Sequence, residues 1–208
     1  MNLKNYYWLF EKIIPEHVCD EIVRFAKSSD SKQAVTGDFA NDPKLTKDRL
    51  KKLKKTRDSH VVWLSENWIW NLIIPLVRRA NISAGWNFQW EICESSQFTL
   101  YNKNQHYGWH VDEWGRPYDM PGDARHNNIR KLSSMLMLSN GSEFEGGEFE
   151  IDTRNGEARN DKSKILTINY DTKGTVVVFP SFLWHRVKPV KKGIRYSMPT
   201  WHLGRPFQ

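Results

Sequence analysis

The sequence predicts a mostly β fold, a distorted double-stranded β-helix (jelly roll) backed by N-terminal α-helices. Two observations predict it. From Asn87 onward, short runs of β-branched and aromatic residues recur between turn signals. Before them lie two segments with one-sided apolar periodicity, the pattern of helices that cover one face of a sheet. The chain has 208 residues, enough for one core and short for two, and its 10 Trp supply the large buried areas a barrel needs. One domain over residues 1–208 is therefore expected, with 1–85 as helical support plus a basic loop and 86–208 as the jelly-roll core.

The elements follow in order. Residues 6–10 read as a first strand. Pro15 opens a helix to about Ser28, with Val18, Ile22, Val23 and Phe25 on its apolar side. Ser65 is the expected N-cap of a second helix through about Ala80, carrying Ile69, Leu72, Ile73 and Val77, with Pro75 inside it. Strands are expected near 87–94, 96–102, 107–112, 130–138, 147–151, 164–168, 174–179, 183–190 and 194–201. Gly146-Gly147 reads as a turn into a strand. Cys19 on a helix and Cys93 on a strand read as small core residues, which favours a reducing, cytoplasmic setting. There is no apolar run of membrane-spanning length and no signal-peptide pattern.

The string His110-Val-Asp112 carries the most chemical information. In an extended strand, positions i and i+2 share a face, so an imidazole nitrogen and a carboxylate oxygen can aim at one point. A second histidine, His185, lies in a buried strand–turn–strand segment, 174–190. Two His and one carboxylate form the facial triad that suits Fe(II) and leaves positions open for other ligands. With seven histidines in the chain, roughly 0.4 HxD strings would arise by chance, so the motif alone decides nothing. Context decides it. Arg195 and Ser197 share a face of the strand after Lys191-Lys-Gly193, and a guanidinium in a barrel wall calls for an anion such as a dicarboxylate.

From about residue 86 onward the chain resembles the 2-oxoglutarate- and Fe(II)-dependent dioxygenases, in the prolyl 4-hydroxylase-like and PKHD-type branch. The pieces that carry the resemblance are Gln97-Phe-Thr-Leu-Tyr101, Tyr107-Gly-Trp-His110-Val-Asp112, Arg130-Lys-Leu-Ser133, Glu145-Gly-Gly-Glu148 and Phe179-Pro-Ser-Phe-Leu-Trp-His185-Arg-Val-Lys-Pro-Val190. Gly193-Ile-Arg195-Tyr-Ser197, Trp201 and Gly204-Arg-Pro-Phe207 extend it. The resemblance implies Fe(II) on His110, Asp112 and His185. It implies 2-oxoglutarate and O2 as co-substrates, with ascorbate as an optional reductant. Arg195, helped by Ser197, would hold the far carboxylate of 2-oxoglutarate, and Tyr101 would line its pocket. One departure stands out: some prolyl hydroxylases place a tyrosine hydroxyl near that carboxylate where this chain reads Met135-Leu-Met137-Leu.

Parity assigns the remaining residues. Trp109 faces away from His110 and is expected to pack against the helices; Trp184 and Arg186 oppose His185 in the same way. Trp201 shares parity with Arg195 and can close the pocket. His17, His60, His106, His126 and His202 lack a ligand's context. The loop 113–128 follows directly on the proposed ligands, and its Trp114, Arg116 and Tyr118 are candidates for substrate contact. Residues 44–57 carry Lys44, Lys47, Arg49, Lys51, Lys52, Lys54, Lys55 and Arg57 against Asp48 alone, which accounts for the whole net charge of +7. A solvated loop or helix face is the plain reading; an arm drawing in an acidic peptide or nucleoprotein is the functional one. The resemblance implies hydroxylation of an unactivated C–H with release of succinate and CO2, first of all on a prolyl residue of a peptide or protein. A nucleic-acid base or a small molecule is the alternative substrate, although the Arg-rich C-terminal signature of base-demethylating relatives is absent after Arg195. A non-catalytic jelly-roll binding module is the alternative of another class, disfavoured because a scaffold has no need to bury four polar or charged groups together.

Overall fold

The computed structural model describes residues 3–29, 32–34, 46–154 and 164–208. Two antiparallel sheets face each other, and helices cover the outside of the larger one. The larger sheet runs β1 (Trp8–Phe10), β12 (Val176–Pro180), β8 (Ile129–Met137), β15 (Arg195–Gly204), β6 (Ser96–Tyr101), β4 (His60–Leu64) and β2 (Lys32–Gln33), with β5 (Ile92–Cys93) paired to β15. The smaller sheet runs β11 (Ile165–Ile168), β10 (Phe149–Asp152), β13 (Trp184–Val187), β7 (His106–His110) and β3 (Arg57–Asp58). A short ribbon pairs β9 (Phe144–Gly146) with β14 (Val190–Gly193).

The larger sheet is apolar on both faces because both are covered. Leu132, Leu136, Val176, Val178 and Met198 point outward. There they meet Cys19, Ile22 and Ala26 of helix α1 (Glu16–Lys27) and Ile69, Ile73, Val77 and Ala80 of helix α3 (Asn67–Ser83). Their neighbours Met135, Met137, Val177 and Phe179 point inward, to Phe149, Ile151 and Val187 of the smaller sheet. Strict alternation therefore sorts each strand between a helix-facing core and an inter-sheet core. Neither cysteine is bridged; Cys19 lies in the helix-facing core as expected, whereas Cys93, on the short β5 that pairs only with β15, is half-buried and joins neither core.

Several expectations need correction. The extended run at 87–94 forms a strand only at Ile92–Cys93, because Asn87 adopts a positive φ and the chain turns there. The segment expected as one strand over 183–190 is two, β13 and β14, in different sheets. Helix α3 has Glu66, not Ser65, at its N-cap; the Ser65 hydroxyl bonds Ser95 instead. The basic segment is not a loop where it is described. Lys47–Thr56 is a helix, α2, with Leu53 buried beneath it and Lys51, Lys52, Lys54 and Lys55 exposed. Lys44 lies outside the described residues. Trp109 is half-buried with the Arg186 guanidinium 4.6 Å over its ring, and it joins neither core. Parity turned it away from His110 as expected, but no apolar layer covers that face of β7 with the helices α1 and α3.

Candidate metal centre and co-substrate pocket

His110 ends β7 and His185 lies in β13, and the two are directly paired across the smaller sheet. Asp112 stands two residues past the end of β7 rather than on it. The backbone N–H groups of Asp112 and Glu113 both donate to the Ser181 carbonyl, which bends the chain and brings the carboxylate back toward the histidines. One ligand-type atom from each of His110, Asp112 and His185 lies within 4.8 Å of the others. His110 Nε2 is 3.7 Å from Asp112 Oδ1, and His185 Nε2 is 3.5 Å from Asp112 Oδ2.

The surroundings fix how these atoms point. Each histidine Nδ1 lies 2.8 Å from a carbonyl two residues upstream, Gly108 O for His110 and Leu183 O for His185. A carbonyl only accepts, so Nδ1 carries the proton in both rings and each Nε2 lone pair faces inward. Ser133 donates to Asp112 Oδ2 at 2.7 Å and is itself 2.9 Å from the Ser181 hydroxyl. Tyr107 stacks on His110, ring centroids 3.5 Å apart, while Phe149 and Phe179 meet His185 edge-on. Burial, then the neighbouring His185, drives the His110 pKa well below its ordinary value. Burial works against the charged form of Asp112, but His185, His110, Arg130 and the Ser133 bond outweigh it and hold its pKa below the usual carboxyl value. Two imidazoles with Nε2 turned inward and one ionised carboxylate, on three sides of a pocket, are the donor set that Fe(II) takes.

Arg195 is fully buried, 0% exposed. Its Nη1 donates to Ser197 Oγ at 2.9 Å, while Nε and Nη2 have no partner. The guanidinium lies between the rings of Tyr101, at 5.6 Å, and Tyr170, at 5.7 Å. The Tyr170 hydroxyl is likewise buried and unpartnered. Burial lowers the Arg195 pKa, but from so high an ordinary value that it remains a cation, and it pushes that of Tyr170 well above the ordinary value, leaving a neutral donor at physiological pH. Three orphaned donors around one buried cation fit a carboxylate. Gly147, at φ +66°, leaves them room, since a Cβ there would stand 2.8 Å from Arg195 Cδ.

The pocket is lined by Tyr101, His110, Asp112, His185, Ser197 and Trp201, among others. Trp201 thus joins the site, under the Arg130 guanidinium 3.9 Å from its ring. Trp114, Arg116 and Tyr118 do not line it. Trp114 and Tyr118 pack on each other 5.9 Å apart in the loop beyond, and Arg116 is exposed. Two residues escaped the sequence reading. Tyr170 lies two positions after Ile168, an inter-sheet core residue, so period-2 alternation could have turned it inward. Arg57 was counted with the basic run, yet it opens a β segment and lines the pocket.

Comparison with known proteins agrees with this geometry. Residues 96–203 match the family model of the 2OG-Fe(II) oxygenase superfamily. The chain belongs to that superfamily. Within the curated proteins, this chain is 35% identical over 102 residues to a PKHD-type hydroxylase of Idiomarina loihiensis and 33% identical over 106 residues to one of Pseudoalteromonas atlantica. These matches take in 49% and 50% of this chain but only 38% and 41% of the relatives. Among solved structures, a prolyl-4-hydroxylase of Pseudomonas putida superposes with TM-score 0.65 at 16% identity, covering 98% of this chain and 95% of that one. The viral collagen prolyl hydroxylase of Paramecium Bursaria Chlorella virus-1, in its 2OG complex, gives 0.63 at 20% identity and 97% of each chain. These likenesses establish the jelly-roll fold. No helix among the described residues is long and apolar enough to cross a membrane.

Proposed function

We propose that the protein is an Fe(II)- and 2-oxoglutarate-dependent hydroxylase whose substrate is a prolyl residue of a peptide or protein. The observation that carries the first half is a His–Asp–His cluster in a pocket whose wall residues Ser197 and Tyr101 contact a buried, two-thirds-orphaned guanidinium. His110 Nε2, Asp112 and His185 Nε2 would hold the iron, and Arg195 with Ser197 and Tyr170 would hold the far carboxylate of 2-oxoglutarate. Bound iron and co-substrate supply the oxidising chemistry, in which O2 is consumed, succinate and CO2 are released and an oxygen atom is inserted into a C–H bond. The chain's own residues supply geometry. The Nδ1–H bonds to Gly108 and Leu183 lock both imidazoles, Ser133 locks the carboxylate, and Phe149, Phe179 and Met135 keep the walls apolar and water out. No proton-transfer group is required, and none is nominated.

The prolyl substrate draws on the PKHD-type relatives and on structural neighbours described as prolyl hydroxylases. Peptide turnover tests it directly. Iron- and 2-oxoglutarate-loaded protein is exposed to O2 with a library of proline-containing peptides and their alanine counterparts. We expect proline-dependent products heavier by about 16 Da, one oxygen atom. Products formed equally from the alanine peptides would overturn the prolyl assignment.

A further inference from the structure

Arg57 is a buried cation that meets no anion among the described residues. It is 5% exposed. Its Nε donates to Ser59 Oγ at 3.0 Å and its Nη2 to Gln97 Oε1 at 2.5 Å, both neutral partners. The guanidinium lies 4.5 Å from the centroid of the Tyr107 ring, whose other neighbour in the stack is His110. Asp58, next in the chain, is engaged elsewhere, 3.8 Å from Lys54 Nζ and accepting from Gln33 and Gln105. Arg130, similarly sheltered, pairs with Glu94, and Arg186 pairs with Glu150. Among the described residues, no carboxylate lies within ion-pair reach of Arg57. Burying a guanidinium on neutral partners alone costs free energy that an anion would offset.

The charge balance of the loaded site makes the same point. Under the function proposed above, the double charge of the metal and the single charge of Arg195 meet the carboxylate of Asp112 and the dianionic co-substrate, and these cancel. Arg130 cancels with Glu94, and the imidazoles are neutral. Arg57 is what remains. It is anchored differently from the guanidinium proposed for the co-substrate. Arg195 is in register with Tyr101 at one end of β6, while Arg57 bonds Gln97, four residues along that strand. Gln97 and Trp201 line the pocket at that second end.

We infer that Arg57 is a specificity-determining residue that takes a carboxylate carried by the substrate close to the carbon to be oxidised. The inference rests on the proposed function for the existence of a loaded site. It adds an acidic group to the substrate class: an Asp or Glu side chain beside the target residue, or a free chain terminus. The planar fork of the guanidinium, with Nη1 unengaged, suits a carboxylate better than it suits a neutral amide.

Calorimetric titration of the full chain, loaded with Mn(II) and 2-oxoglutarate, tests it. The titrants are short capped proline peptides with Asp or Asn at each flanking position, and the same peptides with a C-terminal acid or amide. We expect at least one carboxylate-bearing peptide to bind about tenfold or more tightly than its neutral twin. Arg57→Gln should bring the two within about twofold, Arg57→Lys should keep part of the preference, and 2-oxoglutarate affinity should be the same in all three proteins. The Asp and C-terminal arms tell the two sources of carboxylate apart. No preference in the wild type, no binding of any acidic peptide, a preference that survives Arg57→Gln, or a loss of 2-oxoglutarate affinity in that variant would each overturn the inference. Replacing proline by alanine in the preferred peptide separates it from the prolyl reading. A charge preference indifferent to proline sinks only the prolyl assignment, and proline dependence without charge preference sinks only the role of Arg57.

Discussion

At the residue scale, the pocket is organised by donors and cations left waiting for an anion. Arg195 has two unpartnered nitrogens at full burial, and Tyr170 has an unpartnered hydroxyl beside it. Truncating one partner of a buried, hydrogen-bonded charge pair costs about 2–5 kcal/mol, or roughly 30-fold to several thousand-fold in affinity. Arg195→Ala is therefore expected to raise the KM for 2-oxoglutarate at least by the lower figure while iron binding persists; steady-state kinetics with an iron titration checks both. Tyr170→Phe tests the second donor. Its ring still packs edge-on against Phe149, and no protein bond is lost, so the thermal midpoint of the unliganded protein should not fall. Affinity for 2-oxoglutarate should fall by roughly 10- to 150-fold, the equivalent of about 1.5–3 kcal/mol for a hydrogen bond to a charged group. An unchanged affinity would remove Tyr170 from the site. We propose that this tyrosine fills a place the sequence left open: Met137 stands where some prolyl hydroxylases carry a hydroxyl, and Tyr170, 33 positions later, sets its ring 5.7 Å from the Arg195 guanidinium.

At the element scale, the strand register made the site legible. Period-2 alternation turned Trp109 away from His110, and Trp184 and Arg186 away from His185; the two histidines are cross-strand partners, whereas Asp112, expected on the strand with His110, lies past its end. Arg195 and Ser197 followed from the same rule and do share a contact. What was not legible depended on tertiary pairing. Asp112 reaches the histidines from a bend tied to the Ser181 carbonyl, a bond between residues 69 positions apart. Arg57 was hidden because charge in a basic run says nothing of which member folds inward. Helix α2 keeps four described lysines outward, and we propose the steering role for this face. Neutralising Lys51, Lys52, Lys54 and Lys55 should weaken capture of an acidic substrate while substrate-free decay of 2-oxoglutarate is unchanged. The attraction should fade as salt shortens the Debye length to about 8 Å at physiological ionic strength. Peptide capture measured against salt should give a shallow slope; a slope near one log unit per phosphate contacted, with RNA or DNA raising turnover, would favour a nucleic-acid substrate instead.

At the scale of the whole molecule, the helices are part of the sheet's core rather than an accessory. Cys19, Ile22 and Ala26 of α1 and Ile69, Ile73 and Val77 of α3 belong to one cluster with Leu132, Leu136, Val176 and Met198. We accordingly propose one cooperative unit over residues 1–208. Urea unfolding followed by far-ultraviolet dichroism and by tryptophan fluorescence should give coincident transitions, and residues 86–208 alone should fail to fold; separated transitions would show two units. The fold class was readable because both faces of the larger sheet demand apolar residues, so its strands read as near-continuous apolar runs such as Val176-Val-Val-Phe179. The element boundaries at 87–94 and 183–190 were not, since positive-φ and sheet-switching positions are set by long-range pairing. The central claim is that His110, Asp112 and His185 form one metal centre on which 2-oxoglutarate binding depends. Anaerobic calorimetry of 2-oxoglutarate binding, with and without Fe(II), on the wild type and on His110→Ala, Asp112→Ala and His185→Ala tests it most directly. The account predicts one co-substrate bound per iron-loaded wild-type chain, much weaker binding without iron, and loss of the iron-dependent part in every folded variant, because a three-ligand site has no spare. Iron-dependent binding that persists in any one of the three variants would contradict it.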